Sequence, residues 1–194
     1  MQSDASWTLG DNLERLTLLG TLNISGTGNA LANILTGNDG RNLLSSLDGR
    51  DSLVGGGGID TLDGGLANDT LNGGLGSDSM IGGAGADIFV FDSALSTTTN
   101  RDYIAEFTAG SDKIQLDDDV FTALTGGSPL TAAQFASGAG LVAAQTVDQR
   151  IFYNTNSGAL YYDADGSDTG FAAVQFAVLM TKPLLSASDF LIVV

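Results

Sequence analysis

The chain has 194 residues, 27 of them glycine, with 23 acidic against 7 basic side chains, a formal charge of −16, and neither histidine nor cysteine. That composition excludes Ser-His-Asp, Cys-His and HExxH chemistry, and with it any disulfide framework or CxxC metal or redox site. No basic stripe, no run of 18 apolar residues and no Sec-type signal in residues 1–7 are present, so neither a nucleic-acid partner nor a membrane-spanning segment is expected.

Residues 1–27 read as an irregular N-terminal lead-in. Leu13 to Leu18 has the LxxLxL spacing of a leucine-rich repeat, but it occurs once and a repeat needs copies. From Gly28 to Val90 the chain divides, without insertion, into seven blocks of nine: GNALANILT, GNDGRNLLS, SLDGRDSLV, GGGGIDTLD, GGLANDTLN, GGLGSDSMI and GGAGADIFV. The eighth position is always apolar (Leu35, Leu44, Leu53, Leu62, Leu71, Met80, Phe89). The sixth is always Asn or Asp (Asn33, Asn42, Asp51, Asp60, Asp69, Asp78, Asp87). Glycine tolerates φ > 0 cheaply, so the first six positions predict a tight turn. The last three predict a short strand whose eighth residue points inward. Outward positions are polar in the middle blocks and apolar toward the ends (Ile34, Leu43, Ile81, Ile88, Val90), which predicts a solvated middle and packed ends. A core one residue thick per block does not offset the entropy of ordering so much glycine. A hard cation held by the carboxylate column and turn carbonyls would supply the remainder.

The repeat stops at Asp92 and the aromatic content rises. Residues 130–136 (LTAAQFA) predict a short helix with Thr131 as cap. Strands are predicted over 150–153, 159–162 and 171–179, forming a meander that packs on the repeats. The loop from Asp163 to Asp168 has the look of an EF-hand but places Gly166 at loop position four and Val174 at position twelve, so it reads as a plain β-turn, with an accessory calcium loop as the alternative. The last six residues, 189–194, are an aspartate followed by an apolar tail.

The blocks match GGxGxDxUx, with GGLGSDSMI and GGAGADIFV fitting at every fixed position, and so resemble the nonapeptide of the RTX (repeats-in-toxin, haemolysin-type calcium-binding) family. The resemblance implies an all-β fold: a right-handed parallel β-roll over 28–90, two blocks per coil, followed by a β-rich C-terminal flank over 91–194. It implies about three to five Ca2+ ions, each between turns stacked on the same edge, so that blocks two apart in sequence are neighbours. Two Ca–O bonds of about 2.3–2.6 Å match a strand spacing of about 4.7–4.9 Å. By position, the metal residues are Asp51 with Asp69, Asp60 with Asp78 and Asp69 with Asp87, completed by carbonyls of Gly56, Gly58, Gly65, Gly74, Gly76, Gly83 and Gly85. Asn33 and Asn42 are weaker candidates because Asn lacks the charge. Residues 11–27 (DNLERLTLLGTLNISGT) resemble the lead-in before such arrays. Residues 101–116 (RDYIAEFTAGSDKIQL) resemble the segment after the roll of secreted proteases, where Asp102 and Glu106 either cap the last calcium turn or are surface carboxylates. The tail at 189–194 resembles the uncleaved signal of type I secretion substrates.

The function this implies is a calcium-binding module of a larger protein, secreted from a Gram-negative bacterium. It would fold outside the cell and be exported through the type I apparatus by its C-terminus, with a further domain upstream. No GxGxxG, GxxxxGK[ST] or GxSxG occurs, and the only aligned carboxylates sit in the turn column, so no catalytic residue is expected within these residues. The alternatives are a structural, adhesive or carbohydrate-binding surface module, or the C-terminal part of a secreted protease, lipase or polysaccharide epimerase.

Overall fold

Each block of nine closes half a coil, so the chain returns to the same sheet every 18 residues. The computed structural model describes residues 1–124 and 129–194. In chain order its strands begin with β1 (Gln2–Ser3), β2 (Trp7–Thr8), β3 (Arg15–Leu18), β4 (Ser25–Thr27), β5 (Ile34–Thr36) and β6 (Leu43–Ser45). Next come β7 (Ser52–Gly57), β8 (Thr61–Asp63), β9 (Thr70–Leu75), β10 (Ser79–Ile81), β11 (Ile88–Phe91), β12 (Asp102–Glu106) and β13 (Lys113–Asp117). The chain finishes with β14 (Phe135–Gly138), β15 (Ile151–Asn154), β16 (Ala159–Tyr162), β17 (Val174–Leu179) and β18 (Phe190–Val193). An eight-stranded sheet runs β1-β3-β5-β7-β9-β11-β13-β18, and a ten-stranded sheet runs β14-β15-β16-β17-β12-β10-β8-β6-β4-β2. Pairing is parallel except between β15, β16 and β17. The fold is an all-β parallel β-roll.

The strands fall where positions seven to nine predict. In one sheet the inward residues stack as Leu35, Leu53, Leu71, Phe89, Ile114 and Phe190. In the other they stack as Leu44, Leu62, Met80, Ile104 and Leu179. All eleven side chains are 0 % exposed. Identical register in a parallel ladder lays like on like, so one apolar residue per block builds a continuous core.

Residues 1–27 do more than lead in. They supply β1 to β4 to the two sheets, with Leu16 beside Leu35 and Gly26 beside Leu44. The backbone ladder carries the roll into a segment that lacks the glycine-rich turns that make the period visible. A Cβ at Gly26 would lie 3.0 Å from Leu16 Cδ2 and 3.1 Å from Leu44 Cδ2, so a larger inward residue would be crowded. The outward apolar residues divide between the two ends. Ile34 and Leu43 remain 37 % and 51 % exposed, whereas Ile81 and Ile88 are half-buried and Val90 is buried.

Beyond the repeats, β12 and β13 continue the two sheets; β18 closes the eight-stranded one, and the ten-stranded one runs on through β17, β16 and β15 to β14. The helix expected over 130–136 does not form. Thr131 and Gln134 make a single turn, with Thr131 Oγ1 donating to Gln134 Oε1 at 2.8 Å. The Gln134 carbonyl then accepts the N–H groups of Arg150 and Ile151, which draws the segment into a strand beside β15. An aromatic cluster joins this cap to the roll. Phe176 meets Phe91 and Phe121 edge-on, both at 5.2 Å, and Phe121 meets Tyr162 at 5.1 Å.

Candidate metal centre

Position six of each block lies at the end of a turn, immediately before a strand. There the backbone ladder presents each residue to its equivalent 18 residues on. Asp51 N donates to Asp69 Oδ1 at 2.8 Å, Asp60 N to Asp78 Oδ1 at 2.7 Å, and Asp69 N to Asp87 Oδ1 at 2.9 Å. Asn33 N donates to Asp51 Oδ1 at 2.6 Å and Asn42 N to Asp60 Oδ1 at 2.7 Å. The structure thus brings together the three aspartate pairs expected from the sequence and fixes one oxygen of each second carboxylate.

The other oxygen is the informative one. Oδ2 of Asp51, Asp60, Asp69, Asp78 and Asp87 is buried and has no hydrogen-bond partner. A buried polar atom without a partner costs about 1–3 kcal/mol, and more when charged. The five fall in two stacks with an 18-residue step, Asp51, Asp69 and Asp87 before the strands of one sheet and Asp60 and Asp78 before those of the other, and each stack presents its free oxygens as acceptors. In blocks four to seven each Oδ2 lies against the first glycine of its own block, whereas the block of Asp51 begins with Ser46. A Cβ on Gly55, Gly64 or Gly73 would sit 2.5, 2.6 or 2.5 Å from Oδ2 of Asp60, Asp69 or Asp78. Any side chain there would fill the space beside the free oxygen.

The turn glycines serve the same geometry. Gly56, Gly58, Gly65, Gly74, Gly76 and Gly83 all have positive φ, and the same left-handed conformation is forced on Leu47 (φ 77°) and Ala67 (φ 81°). Stacked turns approach so closely that a Cβ on Gly74, Gly76 or Gly83 would overlap the carbonyl oxygen of Gly56, Gly58 or Gly65, and one on Gly85 would overlap that of Ala67. The Gly65 carbonyl already accepts the Ala84 N–H at 2.9 Å. Among the described residues no cluster of three or more acidic side chains forms, so a cation here would rest on two carboxylates and backbone carbonyls together.

Burial, first among the causes, raises the pKa of every member of the column. Asp60 is pushed up to about 6, and Asp69 and Asp78 to about 7. Asp51 and Asp87 are also raised by burial. The donated backbone N–H groups oppose the shift, and neighbouring aspartates such as Asp60 beside Asp78 add to it.

Two residues extend the column beyond the repeats. Asp102 Oδ1 accepts the Asp78 N–H at 3.0 Å, and burial lifts its pKa to about 8. Glu106, at the end of β12, is exposed and takes no part. Asp112 was not among the sequence candidates, yet its Oδ1 accepts the Asp87 N–H at 3.1 Å and its Oδ2 accepts the Thr108 N–H at 2.7 Å. The signal was present in Asp102-Tyr103-Ile104 and Asp112-Lys113-Ile114, which repeat the Asp-x-apolar step of Asp87-Ile88-Phe89. The step from Asp87 to Asp112 is 25 residues, so a fixed period of nine passes over it. In the loop from Asp163 to Asp168, Asp165 Oδ2 accepts Gly170 N–H at 2.7 Å and Phe171 N–H at 3.1 Å, as a closed turn does.

A family model described as Peptidase M10 serralysin C terminal matches residues 48–192. A second, described as RTX calcium-binding nonapeptide repeat (4 copies), matches residues 27–62. No curated protein matches the chain.

Proposed function

The chain belongs to the peptidase M10 serralysin C-terminal family, and from that premise we propose that it is a calcium-binding module that folds and is exported as part of a larger secreted protein. The observation that carries this reading is the set of five buried carboxylate oxygens without partners, stacked on the two edges of the roll. Calcium supplies the divalent charge that facing carboxylates and turn carbonyls require. Asp51, Asp60, Asp69, Asp78 and Asp87 would hold about three to five ions with the carbonyls of the stacked turns.

Without calcium, a chain of charge −16 with unpaired carboxylates in its turns disfavours the coil and suits passage through a narrow channel. In millimolar calcium outside the cell, only the folded chain presents the paired turns, so mass action draws folding forward. The apolar tail at 190–193 would be read by the type I apparatus of a Gram-negative cell before it becomes β18. The description of the matching family favours a peptidase as the protein whose C-terminal part this is, with its catalysis outside these residues.

Far-UV circular dichroism from chelator to about 10 mM calcium, with magnesium as control, tests the proposal. A cooperative gain of β signal with calcium alone is expected. A β spectrum equally strong in chelator overturns calcium-driven folding.

A further inference from the structure

The first two blocks differ from the later ones at position two, where Asn29 and Asn38 stand in place of the glycines of blocks four to seven. Asn38 Nδ2 donates to the carbonyls of Leu19 and Leu22, both at 3.1 Å, one coil earlier. Asn29 Nδ2 does the same to Gly10 O at 2.9 Å and Leu13 O at 2.8 Å. A primary amide has two N–H donors and an oxygen with two lone pairs. Asn38 uses all four, because its Oδ1 also accepts from Gly40 N at 2.8 Å and Asn42 Nδ2 at 3.0 Å. Asn29 uses all four as well, accepting from Leu31 N at 2.9 Å and Asn33 Nδ2 at 3.1 Å. Asn42 Nδ2 donates further to Ile24 O at 2.8 Å, and its Oδ1 accepts Asn38 N–H at 2.7 Å.

We infer that asparagine amides take the place of the cation in the two N-terminal turns, so that residues 29–46 keep their fold without calcium. The amide does by hydrogen bonding what the ion does by charge: it ties two carbonyls of one turn to the next turn. It brings no net charge, so nothing repels when calcium is absent. Asn33 and Asn42 then serve as turn partners of Asn29 and Asn38 and not as metal ligands. The contrast is internal to the molecule, because the five aspartates that follow each keep an unpartnered oxygen. The inference rests on the proposed calcium reading only for that contrast.

Hydrogen exchange by mass spectrometry on the full chain, in chelator and in calcium, tests it. Protection over 29–46 is expected to be the same in both, while protection over 55–91 rises with calcium. A calcium-dependent gain over 29–46 as large as that over 55–91 overturns the inference and leaves the calcium reading standing. Protection of both segments in chelator supports the inference and overturns the calcium reading. The Asn38→Asp variant loses both donors and gains a charge facing two carbonyls. Its exchange over 29–46 in chelator should be about tenfold faster or more, and unchanged exchange overturns the inference.

Discussion

The aspartate-lined coils and the aromatic cap share the same two sheets but are held in opposite ways. In the coils each turn buries a carboxylate with an unpartnered oxygen, and the apolar core is one side chain deep per strand. In the cap, Phe91, Phe121, Tyr162 and Phe176 meet edge to face, and Tyr162 Oη accepts the Ala123 N–H at 2.8 Å. One half leaves buried carboxylate oxygens unpartnered and the other is packed to exclude water. A sheet that runs through both lets the second give the first a fixed edge to stack on.

Phe176→Ala is the strongest test of that division. Phe176 is almost fully buried between two other rings, so its loss should cost about 3–5 kcal/mol. Thermal unfolding in saturating calcium would read the loss, with calcium stoichiometry by calorimetry unchanged. A changed stoichiometry would mean that the cap shapes the metal turns directly.

A pH titration of the calcium-stripped protein separates the two regions next. Burial raises Asp60 to about 6, Asp69 and Asp78 to about 7 and Asp102 to about 8, from an ordinary value of 3.8. Between about pH 4 and pH 8 the folded chain therefore binds more protons than the unfolded one, and stability without calcium falls as pH rises through that window. Acid should partly restore the β signal of the calcium-free chain. With calcium the sign reverses, because the ligands must be deprotonated, and affinity should weaken as pH falls. A calcium-free spectrum indifferent to pH would show that the carboxylates are not buried in the metal-free state.

The smallest effect is expected at Leu47, an exposed leucine at φ 77° where the later repeats carry glycine. Leu47→Gly should stabilise the calcium-loaded protein by about 0.5–1 kcal/mol, the left-handed strain relieved less the entropy of glycine. No rise in melting temperature would mean that the leucine side chain contributes packing that offsets its strain.

The repeat was legible because the requirements of turn, strand and ligand recur at fixed spacing: glycine for positive φ, an apolar residue for the core and an aspartate at the turn end. The roll outside the repeat was less so. Leu16 and Gly26 occupy inward places in β3 and β4 through backbone pairing alone, which leaves no residue signature. Asp112 was hidden by an elongated turn. The strand at 135–138 has helix-favouring neighbours and was decided by a distant partner, the backbone of Arg150 and Ile151. Asp189, read from sequence only as the acidic start of an export tail, is buried. Its Oδ1 accepts Gly110 N–H at 2.8 Å and its Oδ2 accepts Ser186 N–H at 2.8 Å, which anchors β18 against β13.

The 18-residue register also governs how the chain can change length. Removing 18 residues from the repeats takes out one whole coil and leaves every later strand in its own sheet, every inward residue inward and every aspartate on its own edge. Removing nine sends each later strand to the opposite sheet, and β17 and β18 would have to exchange places at the closing end. Rolls of this kind should therefore lengthen and shorten in pairs of blocks, with an odd block tolerated only where the cap is rebuilt to receive it.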